Sequence, residues 1–246
     1  MLRFITVRSK NLAGRGDMLV YVPPVNDLKD VPIVILLHGV YGSAWAWALK
    51  AGVHETAQRM IADGSIKPMV LVMPSDGLWR DGSGYIPHKQ NGNYEKWITE
   101  DVVAAVRQEI KITSPQSPLF ITGLSMGGYG ALRIGATYPT LFKAFSGLSS
   151  ITAFEQLALF YENENIDALK ESVTQQPSVA EAMLQNKDAL PPFMFDCGND
   201  DVLIDYNRQL HQQLQHNNIP HQYHEHTGGH SWNYWTKAYS GAFAFF

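Results

Sequence analysis

The chain has 246 residues, 45% of them apolar and 17% charged, so it can build one substantial core and lacks the composition of a disordered or charge-tail protein. Nineteen Lys and Arg against 23 Asp and Glu leave a formal charge of −4 with no basic cluster, which excludes a nucleic-acid-binding composition. The best apolar run, Val31–Leu37, ends after seven residues, far short of the ~18 of a membrane helix, and Cys197 is the only cysteine, so no internal disulfide or cysteine-based zinc site can form. Charge interrupts Met1–Arg8 before any signal-peptide core, so the chain reads as cytoplasmic, without a membrane partner.

In chain order, β-type runs alternate with helical patterns, which predicts an α/β fold with a mostly parallel central sheet and helices on both faces. Arg3–Val7 and Met18–Val22, joined by a Gly-containing turn, predict an antiparallel start. Pro32–Leu37, Met69–Met73, Leu119–Thr122, Ala144–Leu148, Phe193–Cys197 and His221–His226 follow. Several are apolar without alternation, as strands covered on both faces are. Helical patterns cover Trp45–Ile61, Tyr94–Ile110, Met126–Thr137, Asp205–His216 and Trp232 onward. In the second, Trp97, Ile98, Val102, Val106 and Ile110 share one apolar face.

Two stretches break the alternation. Pro74–Asn93 is a long Gly-rich connection holding Trp79, Tyr85 and His88, of a length that usually carries function. Ser149–Leu190 is polar, with helical spacing at Phe154–Tyr161 and Val179–Leu184, and reads as a cap-like insertion. No repeat or linker divides the chain, which predicts a single domain over 1–246.

Gly123-Leu124-Ser125-Met126-Gly127 follows a predicted strand and opens a predicted helix, the setting a nucleophile elbow requires. Serine at so sharp a turn is strained, and side chains two residues either way would collide with neighbouring backbone, so glycine fits at both. The helix N-terminus also favours negative charge. A serine hydroxyl needs a base, and that base an orienting carboxylate, in the order Ser, acid, His on this architecture. The strand ending at Cys197-Gly198 runs into Asp200-Asp201, and His221–His226 runs into Thr227-Gly-Gly-His230. His230 is the expected base and Asp201 its orienter, with Asp200 the adjacent rival. The expected oxyanion donors are the backbone N–H groups of Met126 and of Val40, after His38-Gly39, with Tyr41 N–H the rival. His38 reads as a structural residue holding that loop. His224 and His226 lie at i,i+2 and raise a metal reading with His221 or His230, but no carboxylate or cysteine stands at ligand spacing, so neither metal nor cofactor is expected.

These residues together resemble the esterase family of α/β hydrolases that includes esterase D, tributyrin esterases, feruloyl esterase modules and the antigen 85 mycolyltransferases. The likeness spans nearly the whole chain, through Leu-Leu-His38-Gly39, Val72-Met-Pro74, Gly-Leu-Ser125-Met-Gly-Gly, Cys197-Gly-Asn-Asp-Asp201-Val-Leu and Gly-Gly-His230-Ser-Trp232-Asn-Tyr-Trp235. It implies an α/β-hydrolase fold, puts the acid three residues after Gly198, at Asp201, and puts the second oxyanion donor at Val40. The S-formylglutathione hydrolase branch carries a cysteine-containing segment where this chain has Val40-Tyr-Gly-Ser-Ala44. The implied reaction is therefore hydrolysis of simple carboxylic esters.

Tyr41, Trp47, Trp79, Tyr85 and Trp232 are the expected substrate-binding residues, joined by Trp45 in the same loops. Apolar walls with few polar groups suit a short acyl chain or a small aromatic acid. The expected activity is that of a serine carboxylesterase acting on small-molecule esters through an acyl-enzyme. An acyltransferase or thioesterase using the same triad is the nearest rival, and a silent hydrolase fold that only binds ligand is the rival from another class. The apolar tail Ala242–Phe246 leaves open a homo-oligomer or packing onto the chain's own sheet.

Overall fold

Every side chain of Ile33–Leu37 is buried, which is possible only for a strand covered on both faces. The computed structural model describes residues 1–25, 27–161 and 165–246. Eight strands form the central sheet: β1 (Leu2–Arg8), β2 (Arg15–Tyr21), β3 (Ile33–Leu37), β4 (Val70–Pro74), β7 (Leu119–Gly123), β8 (Ala144–Leu148), β9 (Phe193–Gly198) and β10 (Gln222–His226). Their order is β1-β2-β4-β3-β7-β8-β9-β10. β1 and β2 pair antiparallel, β2 meets β4 antiparallel, and every later pairing is parallel. The antiparallel start and parallel body are those the sequence predicts.

Strand alternation sends side chains to two cores. Ile33, Ile35, Leu37 and Ile121 face one with Trp97, Val106 and Leu132, while Val34, Leu36 and Phe120 face the other with Trp47, Tyr239 and Phe243. The second core is closed by α1 (Ala46–Ala51), α2 (Val53–Ala62) and the C-terminal helix α9 (Trp232–Phe245). The Phe246 ring packs against Phe120 with centroids 5.0 Å apart, so the apolar tail packs onto its own sheet.

The predicted helix Trp45–Ile61 is in fact two helices. Gly52 adopts φ 58°, in the left-handed region, which ends α1 and precedes α2. The predicted helix Tyr94–Ile110 runs as α3 (Tyr94–Lys96), a π-helical segment Trp97–Val102 and α4 (Val103–Glu109). α5 (Met126–Thr137) and α8 (Ile204–His216) lie close to the predicted spans. The connection after β4 contains a small hairpin of β5 (Pro87–His88) and β6 (Gly92–Asn93).

The insertion holds a 3-10 helix at Phe154–Leu159, α6 (Asn165–Ser172) and α7 (Val179–Gln185). Residues 162–164 of the expected insertion lie outside the described residues. It is laced to the β4 connection: Lys89 N–H donates to Ser172 O at 2.7 Å, and Thr174 N–H to Pro87 O at 3.2 Å.

Candidate active site

Ser125 sits between β7 and α5 with φ 54° and ψ −119°. A non-glycine residue there costs roughly 1–3 kcal/mol and persists only where its surroundings over-determine it. Here its N–H donates to Leu148 O at 2.9 Å, and its carbonyl accepts from Tyr129 N–H at 3.0 Å and Ile151 N–H at 3.3 Å. The flanking glycines are required by space. A Cβ at Gly123 would lie 2.2 Å from Gly127 O, and one at Gly127 would lie 2.2 Å from Leu37 O.

His230 and Asp201 arrive from the ends of β10 and β9. These two loops are bound together: Asn199 N–H donates to His226 O and Asp200 N–H to Gly228 O, each at 2.9 Å. Asp201 is buried, whereas its rival Asp200 faces solvent. Both Asp201 carboxylate oxygens lie 3.0 Å from His230 Nδ1, and Oδ1 also accepts from Leu203 N–H at 2.9 Å. His230 Nε2 lies 2.9 Å from Ser125 Oγ. With Nδ1 donating to the carboxylate, Nε2 is free to accept the serine proton, the arrangement general-base chemistry needs.

The loop after β3 stands over the same serine, with Gly39 backed against Leu124 and the Ser125 Cβ. His38 accepts from Asp76 N–H through Nε2 at 3.1 Å, so its Nδ1 carries the proton and donates to Gly39 O at 2.7 Å. It is a buried brace for the loop, as its residue type and place suggest. Tyr41 N–H donates to Asp81 O at 2.9 Å, whereas Val40 and Met126 N–H have no carbonyl partner among the described residues. Two backbone donors, one in the loop over Ser125 and one at the start of α5, thus remain available to an acceptor.

The aromatic residues expected to bind substrate divide. Trp47 is fully buried, edge-on to Trp232 and Tyr239 at 6.1 Å each, and belongs to the core, because α1 turns it inward and leaves Trp45 exposed. Tyr85 is also fully buried; its hydroxyl donates to His38 O at 3.1 Å behind the loop, so it too is corrected to a framework residue. Trp79 packs edge-on to His88 at 4.7 Å, beneath the Arg80 guanidinium. Tyr41 is exposed and Trp232 half-buried.

Two neighbours of the imidazole escape sequence reasoning. Phe160 stacks on His230 at 4.6 Å, and Trp235 meets it at 87° and 5.0 Å. Trp235 stands in the aromatic run after His230, but no periodicity singles it out. Nothing in the insertion marks Phe160.

The histidines of the metal reading are dispersed. His221 stacks on Phe193 and Phe195 and hydrogen-bonds His211, His230 faces Ser125, and His224 and His226 lie side by side on the exposed β10. No group of three metal-ligating side chains gathers among the described residues. Among those residues, too, no helix is long and apolar enough to cross a membrane.

Beneath the site, Asp196 on β9 is buried and accepts from the Tyr234 hydroxyl at 2.6 Å. Burial raises its carboxyl from the ordinary value to about 7, against the lowering effect of that hydrogen bond. Burial likewise holds the Cys197 thiol far above its usual range, which fits an inert packing residue.

The chain is 28% identical over 233 residues to an acetyl esterase of Caldicellulosiruptor saccharolyticus, covering 88% of this chain and 84% of that protein. A ferulic acid esterase structure superposes with a TM-score of 0.84 at 25% identity, covering 100% of this chain and 96% of the other. The S-formylglutathione hydrolase of Staphylococcus aureus has the same fold, with a TM-score of 0.84 at 21% identity and coverages of 100% and 98%. The model of the Esterase family, described as "Putative esterase", matches residues 9–246, and the chain belongs to that family of α/β-hydrolase-fold enzymes.

Proposed function

We propose that this protein is a serine carboxylesterase that cleaves short-chain or small aromatic acyl esters through an acyl-enzyme, with no cofactor. The observation that carries the reading is the continuous hydrogen-bonded run from Ser125 Oγ through His230 to Asp201, with lengths of 2.9 and 3.0 Å. Ser125 Oγ attacks the ester carbonyl carbon as its proton passes to His230 Nε2. The new oxyanion accepts from Val40 and Met126 N–H, each such donor being worth about 2.7–4 kcal/mol in the transition state. The carbon–oxygen bond to the alcohol then breaks, and His230 returns the proton to the leaving alkoxide. Water, deprotonated by the same imidazole, attacks the acyl carbon; the bond from that carbon to Ser125 Oγ breaks, His230 returns the proton to Oγ, and the acid leaves.

The acyl preference is supported by similarity to the acetyl esterase and the ferulic acid esterase, and by aromatic side chains in the site loops. Tyr41, Trp79 and Trp232 stay as candidate substrate contacts. A cytoplasmic place of action goes with a chain whose one cysteine is a buried free thiol, and recovery of the protein from the culture medium overturns it.

The test is rate measurement over p-nitrophenyl esters from acetate to palmitate, with a feruloyl ester included, beside labelling by a fluorophosphonate. Labelling should map to Ser125, and Ser125→Ala should lower kcat by about 10⁶-fold while the fold is kept. A variant that retains a tenth of the activity overturns the assignment. Equal rates on butyrate and palmitate overturn the acyl preference. Diversion of product to a new ester by added alcohols reassigns the protein to acyl transfer.

A further inference from the structure

The insertion places one ring directly on the imidazole of His230. Phe160 follows the 3-10 helix Phe154–Leu159 and stacks on His230 with planes 26° apart and centroids 4.6 Å apart. The imidazole makes its bonds to Ser125 and Asp201 in its own plane, so a ring on its face competes with neither.

Two phenols hold that segment down. The Tyr41 hydroxyl donates to Phe160 O at 2.7 Å, and the Tyr161 hydroxyl donates to Gly82 O at 2.6 Å. Tyr41 directly follows Val40 in the loop over Ser125 and has φ 58°. The tether therefore starts on the loop over Ser125 and ends on the backbone carbonyl of the residue whose ring covers His230.

We propose that Phe160, anchored by Tyr41, is a positioning residue for His230, and that its ring face favours the imidazolium formed when Ser125 gives up its proton. The proposal rests on the esterase reading above. An aromatic face is electron-rich and attracts a cation more than a neutral ring, so the contact strengthens as the proton arrives. Only a contact that strengthens in this way speeds the step. Among the described residues the groups bonded to the imidazole are the Asp201 carboxylate and the Ser125 hydroxyl. The rings that meet it from the insertion and from α9, Phe160 and Trp235, are uncharged.

A ring that merely covered the imidazole would act with the opposite sign, because excluding water disfavours the charged form. The direction of the change on its removal therefore separates the two roles. The experiment follows the His230 ring protons by NMR across pH, and the acid limb of kcat/KM for p-nitrophenyl acetate, in wild type, Phe160→Leu, Phe160→Tyr and Tyr41→Phe. Leucine keeps an apolar cover but has no aromatic face. Phe160→Leu should lower the His230 pKa and the acid limb by about half a unit and slow kcat about threefold. Phe160→Tyr should restore both, and Tyr41→Phe should reproduce part of the loss. An unmoved or raised His230 pKa in Phe160→Leu overturns the proposal. If that variant does not melt cooperatively, wild-type values in Tyr41→Phe overturn it instead. The NMR titration needs no turnover, so a wild type that hydrolyses no ester defeats the esterase reading while Phe160 is still tested.

Discussion

Asp201 and Asp196 are two buried carboxyl groups on one strand and its following loop, with opposite tasks. Asp201 faces His230 Nδ1 with both oxygens and so selects the tautomer that leaves Nε2 as acceptor. Within the proposed mechanism Asp201→Asn lowers kcat by about 10⁴-fold, measurable with p-nitrophenyl acetate, because an amide allows the wrong tautomer. Among the described residues the Asp196 carboxyl accepts from the Tyr234 hydroxyl alone, and its pKa of about 7 stands above the unfolded 3.8. The folded protein therefore holds this proton more tightly than the unfolded chain does. Its contribution is present below about pH 4 and is lost as pH rises through about 7, at a cost of at most about 4 kcal/mol. Asp196→Asn keeps an oxygen for Tyr234 and should flatten that fall in denaturant titrations at pH 5 and pH 8; an unchanged difference between the two pH values refutes it. At this scale the meeting of Ser125 with His230 was legible from motif and strand order, since glycine spacing marks Ser125 and loop delivery marks His230. The choice between Asp200 and Asp201 was not legible from periodicity. It depends on which carboxylate the turn buries.

Among the elements, the insertion depends on local signals for its own order. Ser178 caps α7: its hydroxyl accepts from Glu181 N–H at 3.1 Å, while the Glu181 carboxylate accepts from Ser178 N–H at 2.8 Å. Ser178→Ala should cost about 1 kcal/mol of stability by chemical denaturation and leave kcat unchanged, since the cap lies outside the triad. A loss of activity without a loss of stability would contradict it. The spacing at Val179–Leu184 showed this helix. The helix over Trp45–Ile61 was misread as one because an isolated glycine is tolerated in a helical pattern, and only the backbone angle at Gly52 reveals the break. Within α1, Trp47 is buried, whereas Trp45, at its N-cap, is exposed, a difference set by position on the helix. Phe160 was invisible because its partner lies seventy residues away in the chain and no pattern links them.

Over the whole molecule, the parallel body of the sheet was readable because strands buried on both faces need unbroken apolar runs, as in Ile33–Leu37 and Val70–Pro74. The order of the strands was not readable, since apolar runs do not say which neighbours they choose. That order has a consequence for durability. Ser125 follows β7, in the middle of the sheet, but His230 hangs from β10, which pairs with β9 alone and is mostly exposed. A border strand with one neighbour opens at lower free energy than an interior one. On warming, amide exchange should quicken along Gln222–His226 before it does along Leu119–Gly123, and esterase activity should vanish at a temperature where the interior strands are still paired. Within the proposed mechanism the nucleophile would then outlast its base, leaving a folded protein whose serine is in place but idle, and cooling should revive it.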